Sequence, residues 1–574
     1  MNRKISFLLA AILSLPISAQ QQQADKQQEN PTIKTSAHLV VVDVVATDDH
    51  GHLVTNLNRD DFVVLEDGKP QQVKQFEPHI ASATPPLPAE SGETALVANE
   101  YKNVPAQVPN AVNIILLDLL STARLDQQEA RRHLLSYLQT MPKGRQVALY
   151  ILDTKLHLIQ NFTGNSDTLI AAAEKARLAP SPLKQSTEDN EIDGEMVATL
   201  RALNDSRGAE ALKASLKLAE ASKTDQRVGL TLQALQQIAR SLSGIPGRKN
   251  LIWLSSGFPL KVEGEFVPAG VSIEGRDYSQ VVRQTTSILA QAQIAVYPVD
   301  VQGLNIGGID ATTSGIGLTE MSTRRDDPVV DPVTSTNVTE SASSHNSMEL
   351  IAKDTGGQAF YNGNDLKSAI GHSMDLGSSY YTLAYTPTNS QWDGGLRKIE
   401  VKAPGKKLKL VYRHSYHALA DKHFTLAELE KMLVASMDPE IADSTMLALD
   451  AKLSPGTKGA NSVTLECDLD RNQFQFVGAD PTHKVAVVDL AIEGWDKHGK
   501  SSGTFGQTLK IQESDSSHRT VAFRQQLALR PETTKLRIGI LDRSSGRIGT
   551  VEISSLPFRN EAERKGDAKP ETKP

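Results

Sequence analysis

Four consecutive apolar residues, Ile114, Ile115, Leu116 and Leu117, end in Asp118 and are followed by Ser121 and Thr122, so a buried strand is predicted to stop at a carboxylate and two hydroxyls. Ala130, Leu134, Leu135 and Leu138 then recur at helical spacing and predict a helix over residues 126–140. Residues 147–152 and 156–160 read as the next strands, and residues 167–176 as a second helix. Residues 249–254 and 294–300 read as further strands, separated by a predicted helix over 278–291. Helices over 348–354 and 365–376 close the unit. Strands alternating with helices in this way predict a doubly wound α/β domain, with a mainly parallel sheet covered on both faces.

The pattern differs on either side. Residues 37–46 are almost unbroken Val and Leu, followed by the turn Asp48-Asp49-His50-Gly51, then Phe62-Val63-Val64-Leu65 and a second turn at Glu66-Asp67-Gly68-Lys69. β-branched runs punctuated by such turns predict a small antiparallel β module over 32–79. Five prolines mark 80–110 as a linker. The α/β domain is then expected over 111–418, with a β extension at 378–413 and two insertions. The first, 178–226, is Pro/Ser-rich and then helical through Leu212, Leu216 and Ala219; the second, 302–345, is rich in Gly, Ser, Thr and Asp without periodicity and reads as a loop. Leu426, Leu429 and Leu433 predict a helical connector within 419–460, and regular short strands predict an immunoglobulin-like β-sandwich over 461–558. Residues 559–574 form a charged tail. The α/β domain is thus expected between N-terminal and C-terminal all-β modules.

Length supports several units, since 574 residues exceed one core at about 150 residues per domain. A formal net charge of −7, with no long Lys/Arg stripe, argues against a nucleic-acid partner. The chain opens with Arg3 and Lys4, a short apolar core and then Ser18 and Ala19, which predicts a cleavable signal peptide over 1–19. That apolar core is short against the roughly 20 residues of a spanning helix. The protein is therefore expected outside the cytoplasm, in the periplasm or secreted, with a polar tether over 20–31 and no transmembrane segment after cleavage. The lone Cys467 can form no internal disulfide, and its neighbours Leu465 and Leu469 suggest an inert, buried strand position.

The segment Asp118-Leu119-Leu120-Ser121-Thr122 resembles the first metal-binding loop of a von Willebrand factor A domain, whose pattern is Asp-x-Ser-x-Ser. The resemblance implies a magnesium or manganese ion, completed by a Thr from a second loop and an Asp from a third. Thr231, at the start of a predicted helix, matches the second loop; the third reads Ser255-Ser256-Gly257 in place of Thr-Asp-Gly. Candidate ion ligands are therefore Asp118, Ser121, Thr122 and Thr231, in a degenerate site where Leu120 and Ser256 occupy ligand positions. A single carboxylate with a few hydroxyls is a poor cage for an ion that dehydrates reluctantly, and a hydrogen-bonded loop cluster is the rival reading.

Further motifs in order, Asp61 through Gly68, Gly247-Arg248-Lys249-Asn250 through Pro259, Thr355-Gly356-Gly357 and Ser379-Tyr380-Tyr381 through Pro387, resemble the von Willebrand factor A-related acidobacterial domain family over residues 32–418. The family implies exported, non-enzymatic proteins in which the magnesium motif is commonly degenerate. No nucleophile elbow, zinc-protease helix, phosphate loop or dinucleotide fingerprint is present in the sequence. The leading expectation is a protein that binds another protein or a matrix component through the loop face. The alternative is a structural or assembly factor of the envelope with that face occluded, and a hydrolase is the remote third. Cover over Asp118 from 178–226 or 302–345 separates the first two; a His bonded to Ser255 or Ser256 would revive the last.

Overall fold

Five strands pair side by side, four of them buried along nearly their whole length and one, at a sheet edge, half-exposed. They are β1 (Ala111–Asp118), β2 (Val147–Leu152), β3 (Leu156–Thr163), β4 (Arg248–Ser255) and β5 (Ile294–Asp300), in the order β5-β4-β1-β2-β3. The pairs β5-β4, β4-β1 and β1-β2 are parallel, and β3 is an antiparallel edge. This computed structural model describes residues 39–81, 100–104, 111–178, 181–184, 187–262, 265–267, 271–302, 332–363, 365–419, 424–439, 441–456, 462–478, 484–513, 519–554 and 556. The expected signal peptide, tether and tail lie outside those residues.

Alternate residues of β1 feed two cores, as the two-residue period of a strand requires. Ile114 and Leu116 pack with Leu235, Ile238, Trp253 and Met348, under helices α4 (Ser206–Leu242), α5 (Ser279–Gln291) and α6 (Pro332–Thr355). Ile115 and Leu117 face Leu134, Ile252, Ile370 and Met374, under α1 (Arg124–Leu138), α2 (Ser166–Lys175) and α7 (Leu366–Leu376). The first insertion forms α3 (Thr187–Ala202) and runs directly into α4, a single helix of 37 residues. No new helix opens at Val228-Gly229-Leu230-Thr231. Gly229 has open space around it, and Val228, Leu232 and Leu235 carry the buried stripe straight through. Likewise α6 starts at Pro332, so the last third of the expected loop 302–345 is helical, and residues 303–331 of it lie outside the described residues. Tertiary contacts anchor it where periodicity is lacking: Ser347 Oγ donates to Phe258 O at 2.7 Å, and Met348 is fully buried.

The expected β module at 32–79 is not self-contained. Val40–Thr47 pairs with Tyr380–Tyr385 and Lys409–Val411, Val63–Glu66 pairs with Leu396–Lys402, and Val73–His79 lies on the other side of Tyr380–Tyr385. Val42 and Val44 need a partner face, and Tyr381, Leu383 and Tyr385 supply it from the far side of the α/β domain. Local pattern marks a strand without naming its neighbour.

The C-terminal unit is a sandwich of two four-stranded sheets around Leu465, Cys467, Ile492, Ile538 and Ile540. Burial pushes the Cys467 thiol up to about 12, so it stays protonated and inert. Two expectations change here. Glu100–Lys102, inside the expected linker 80–110, is an edge strand of this sandwich, paired with Asp450–Pro455. Asn103 beside it donates to Ser444 O and Leu447 O and accepts from Leu449 N–H, each at 2.8 Å. Among the described residues of the connector 419–460 the helix is α8 (Leu426–Ser436), opened by a Thr425/Glu428 capping box, and Asp450–Pro455 joins the sheet.

Candidate functional site

The strand order reverses between β1 and β4, and their carboxyl ends deliver Asp118 and Ser255 to the crevice where an open α/β sheet places its ligands. Asp118 Oδ1 accepts the Ser121 N–H at 3.0 Å. Its Oδ2 accepts Ser255 Oγ at 2.8 Å and the Trp253 indole N–H at 3.2 Å. The Ser255 oxygen in turn accepts the Gly257 N–H at 2.9 Å, and Thr122 Oγ1 accepts the Ser256 N–H at 3.3 Å. Behind the loop, Leu119 and Leu120 N–H both donate to Leu152 O, and Gln127 Nε2 bonds Leu119 O and Thr122 O. The loop is thus tied to β2 and α1, and the Leu120 side chain is fully buried in the sheet core.

Burial raises the Asp118 carboxyl above its ordinary value, against the pull of its hydrogen bonds from Ser121, Ser255 and Trp253. The donor set does not fit a divalent ion. Both oxygens of the one carboxylate are taken by protein donors, Leu120 offers nothing, and among the described residues no three His, Cys, Asp or Glu side chains converge to hold a metal. Thr231 sits in mid-helix on α4, away from any helix start, although it is buried as a ligand would be. Ser121 Oγ, Thr231 Oγ1 and Ser256 Oγ are buried without a hydrogen-bond partner, which leaves hydroxyls but no second charge.

Both insertions cover the cluster. Lys184, ahead of α3, donates from Nζ to Ser121 O at 3.1 Å, and Arg227 holds that turn by donating to Leu183 O at 3.2 Å. On the other side Ser344 and Met348 of α6 pack directly over Gly257. Asp118, Ser121, Thr231 and Ser255 have 0% of their surface exposed, Thr122 1% and Ser256 4%. The Ser255 hydroxyl is committed to a carboxylate and an amide, not to an imidazole.

The structure brings Asp118, Ser121 and Thr122 together, and it adds Trp253, Ser255, Gln127 and Lys184. Ser255, not Ser256, is the third-loop residue that reaches Asp118. The two-residue period of β4 carried that signal, since Trp253 and Ser255 share a face and the β1-β4 register sets Leu117 beside Leu254. Nothing in the local sequence pointed to Lys184. The motif around Gly247 has a different task. The buried Arg248 guanidinium donates to Gly356 O at 2.6 Å and Tyr297 Oη at 3.1 Å, while its amide donates to Tyr380 Oη at 2.9 Å. Lys249 donates to Ile245 O at 2.5 Å, with burial pulling its ammonium down to about 8. These residues fasten the β strands to the amino end of the central sheet, opposite the Asp118 loops.

No family model matches the chain, and no curated protein matches it significantly. Among solved structures, an aerotolerance-related membrane protein from Bacteroides fragilis is 16% identical over 47% of this chain and 98% of its own, with a TM-score of 0.24. BatB from Bacteroides thetaiotaomicron is 12% identical over 46% of this chain and 96% of its own, with a TM-score of 0.23. The pilus adhesin SpaC from Lactobacillus rhamnosus GG is 10% identical over 78% of this chain and 54% of its own, with a TM-score of 0.25. Likenesses of this size carry no argument about function. The fold is mixed α/β with a mainly parallel central sheet, and no helix among the described residues is long and apolar enough to cross a membrane.

Proposed function

We propose that this is an exported, non-enzymatic protein in which a von Willebrand A-type domain serves as a closed scaffold, while the β units contact a protein or matrix component of the envelope. The observation that carries the reading is the complete burial of Asp118, Ser121 and Thr231, with Lys184 bonded to the Ser121 carbonyl and α6 packed over Gly257. A loop face that binds a ligand carboxylate through an ion needs an accessible carboxylate, and the engagement of both Asp118 oxygens by protein donors supports a closed face instead. The strand order β5-β4-β1-β2-β3 with an antiparallel edge supports the domain type, and the basic and apolar start of the chain supports export.

Titration with magnesium and manganese, followed by thermal unfolding of the wild type and Asp118→Ala, tests the proposal. No saturable rise in melting temperature is expected in either protein. A saturable rise in the wild type that vanishes in Asp118→Ala would overturn it and restore metal-dependent binding at the loop face.

A further inference from the structure

A cleft of about 410 Å³ separates the carboxyl-terminal end of α4 from α8, where the α/β domain meets the sandwich. Gln233, Gln237 and Arg240 line it from α4 at helical spacing, on the side opposite the buried Leu235 and Ile238. Lys431 and Met432 line it from α8, and Met446 and Ile548 complete an apolar wall.

The charges of this cleft are of one sign. Among the described residues no carboxylate lines it, and Asp443, which lies within the lining stretch 441–446, is engaged by Arg537 at 3.4 Å and by the Glu552 N–H at 3.0 Å. Among the described residues neither Arg240 nor Lys431 forms an ion pair. Arg240 is exposed along part of its length, yet burial around its guanidinium pulls its pKa below the ordinary value, and no carboxylate is near enough to oppose that shift. Beside it, Gln237 Nε2 is buried without a hydrogen-bond partner. A partly desolvated cation and an unpaired buried amide each carry a cost that an anion in the cleft would remove.

We propose that this cleft binds an anionic amphiphile, a carboxylate or phosphate head on an unbranched apolar chain, with the head held by Arg240, Lys431 and Gln237. The planar guanidinium fork matches either oxyanion, and the ammonium adds a second charge from the facing helix. The chain lies along Met432, Met446 and Ile548, where two flexible thioether side chains suit a ligand of no fixed shape. The volume is that of a small-molecule site, a mostly apolar space with a few polar groups at one place to orient the ligand. Such an amphiphile has two sources, a free fatty acid or its phosphate counterpart, and an anionic lipid still in its membrane. The inference does not depend on how the Asp118 loops or the β units are used.

Isothermal titration calorimetry of the purified chain with hexanoate, octanoate and decanoate should show affinity rising roughly five- to ten-fold for each two carbons, as the burial of methylenes requires. Acetate lacks the chain and decyl maltoside the charge, so each should bind at least about ten-fold more weakly than decanoate. Arg240→Gln should weaken decanoate about ten-fold and Lys431→Gln about three-fold, with thermal melts verifying that both variants are folded. Cosedimentation with phosphatidylglycerol vesicles separates the sources. Vesicle binding that is lost in Arg240→Gln makes the ligand a membrane lipid, and decanoate binding without vesicle binding makes it a free amphiphile. No saturable heat with decanoate together with no vesicle binding would overturn the proposal. So would binding of either probe that is indifferent to both substitutions, which would locate the ligand on another surface.

Discussion

Replacing Asp118 with alanine removes the acceptor for three buried donors, the Ser121 N–H, the Ser255 hydroxyl and the Trp253 indole N–H. The Ser255 hydroxyl can rotate, but the other two donors are fixed in a region with no surface exposed. Each stranded donor costs about 1–3 kcal/mol, or roughly 2–6 kcal/mol for the pair, and relief from burying a carboxylate returns a few kcal/mol of that. The net expectation for Asp118→Ala is a loss of about 2–3 kcal/mol, with Asp118→Asn, which keeps one acceptor oxygen, costing about half as much. Urea unfolding at several pH values gives the measurement and adds a sign. Burial holds the Asp118 carboxyl above its ordinary 3.8, so the folded protein binds that proton more tightly than the unfolded chain does. The contribution of the proton is complete below the unfolded value and is lost as pH rises through the raised folded value. The gap between wild type and Asp118→Ala is therefore widest in acid and narrows with rising pH. A gap that widens with pH, or a variant within about 0.5 kcal/mol of wild type throughout, would refute the account of Asp118 as a buried hydrogen-bond hub.

Two further substitutions probe the β units. Glu66 is buried and accepts from Tyr385 and Tyr416 hydroxyls at 2.8 Å and from Arg397 at 3.2 Å, so Glu66→Gln leaves a buried guanidinium without its counter-ion and should cost about 3 kcal/mol in urea unfolding. Asn103→Ala removes three hydrogen bonds to the chain at 444–449; hydrogen exchange should quicken across Asp450–Pro455 and stay unchanged in β1 and β4, and uniform quickening would show that the contact is not local.

The central sheet was legible because most of its strands are buried on both faces, and continuous apolar runs such as 114–117 and 251–254 announce that burial without reference to a partner. Asp118 was legible for the same reason, as a charge ending such a run. What escaped were relations between distant residues. Tyr381 is visibly a strand residue, yet nothing near it names Val44 as its neighbour. Glu100–Lys102 sits among prolines and its strand exists only because Asp450–Lys452 is there to pair with it. Thr231 read as a helix start, while the packing of Val228 and Leu232 carries one long helix through that position. Lys184 reaches Ser121 from a turn with no pattern of its own.

The pairing of the first strand has a consequence in time. Asp43 and Thr382 are hydrogen-bonded across 339 residues of chain, so the opening β strands have no partner until the α/β domain has been made. At roughly 5–20 residues per second, synthesis leaves Val40–Thr47 waiting on the order of 20–70 seconds, an exposed β-branched run needing shelter from aggregation. A polypeptide passed across a membrane while unfolded meets no such delay on the ribosome side. The β unit that Val40–Thr47 and Tyr380–Tyr385 share would then be among the last parts of the domain to assemble.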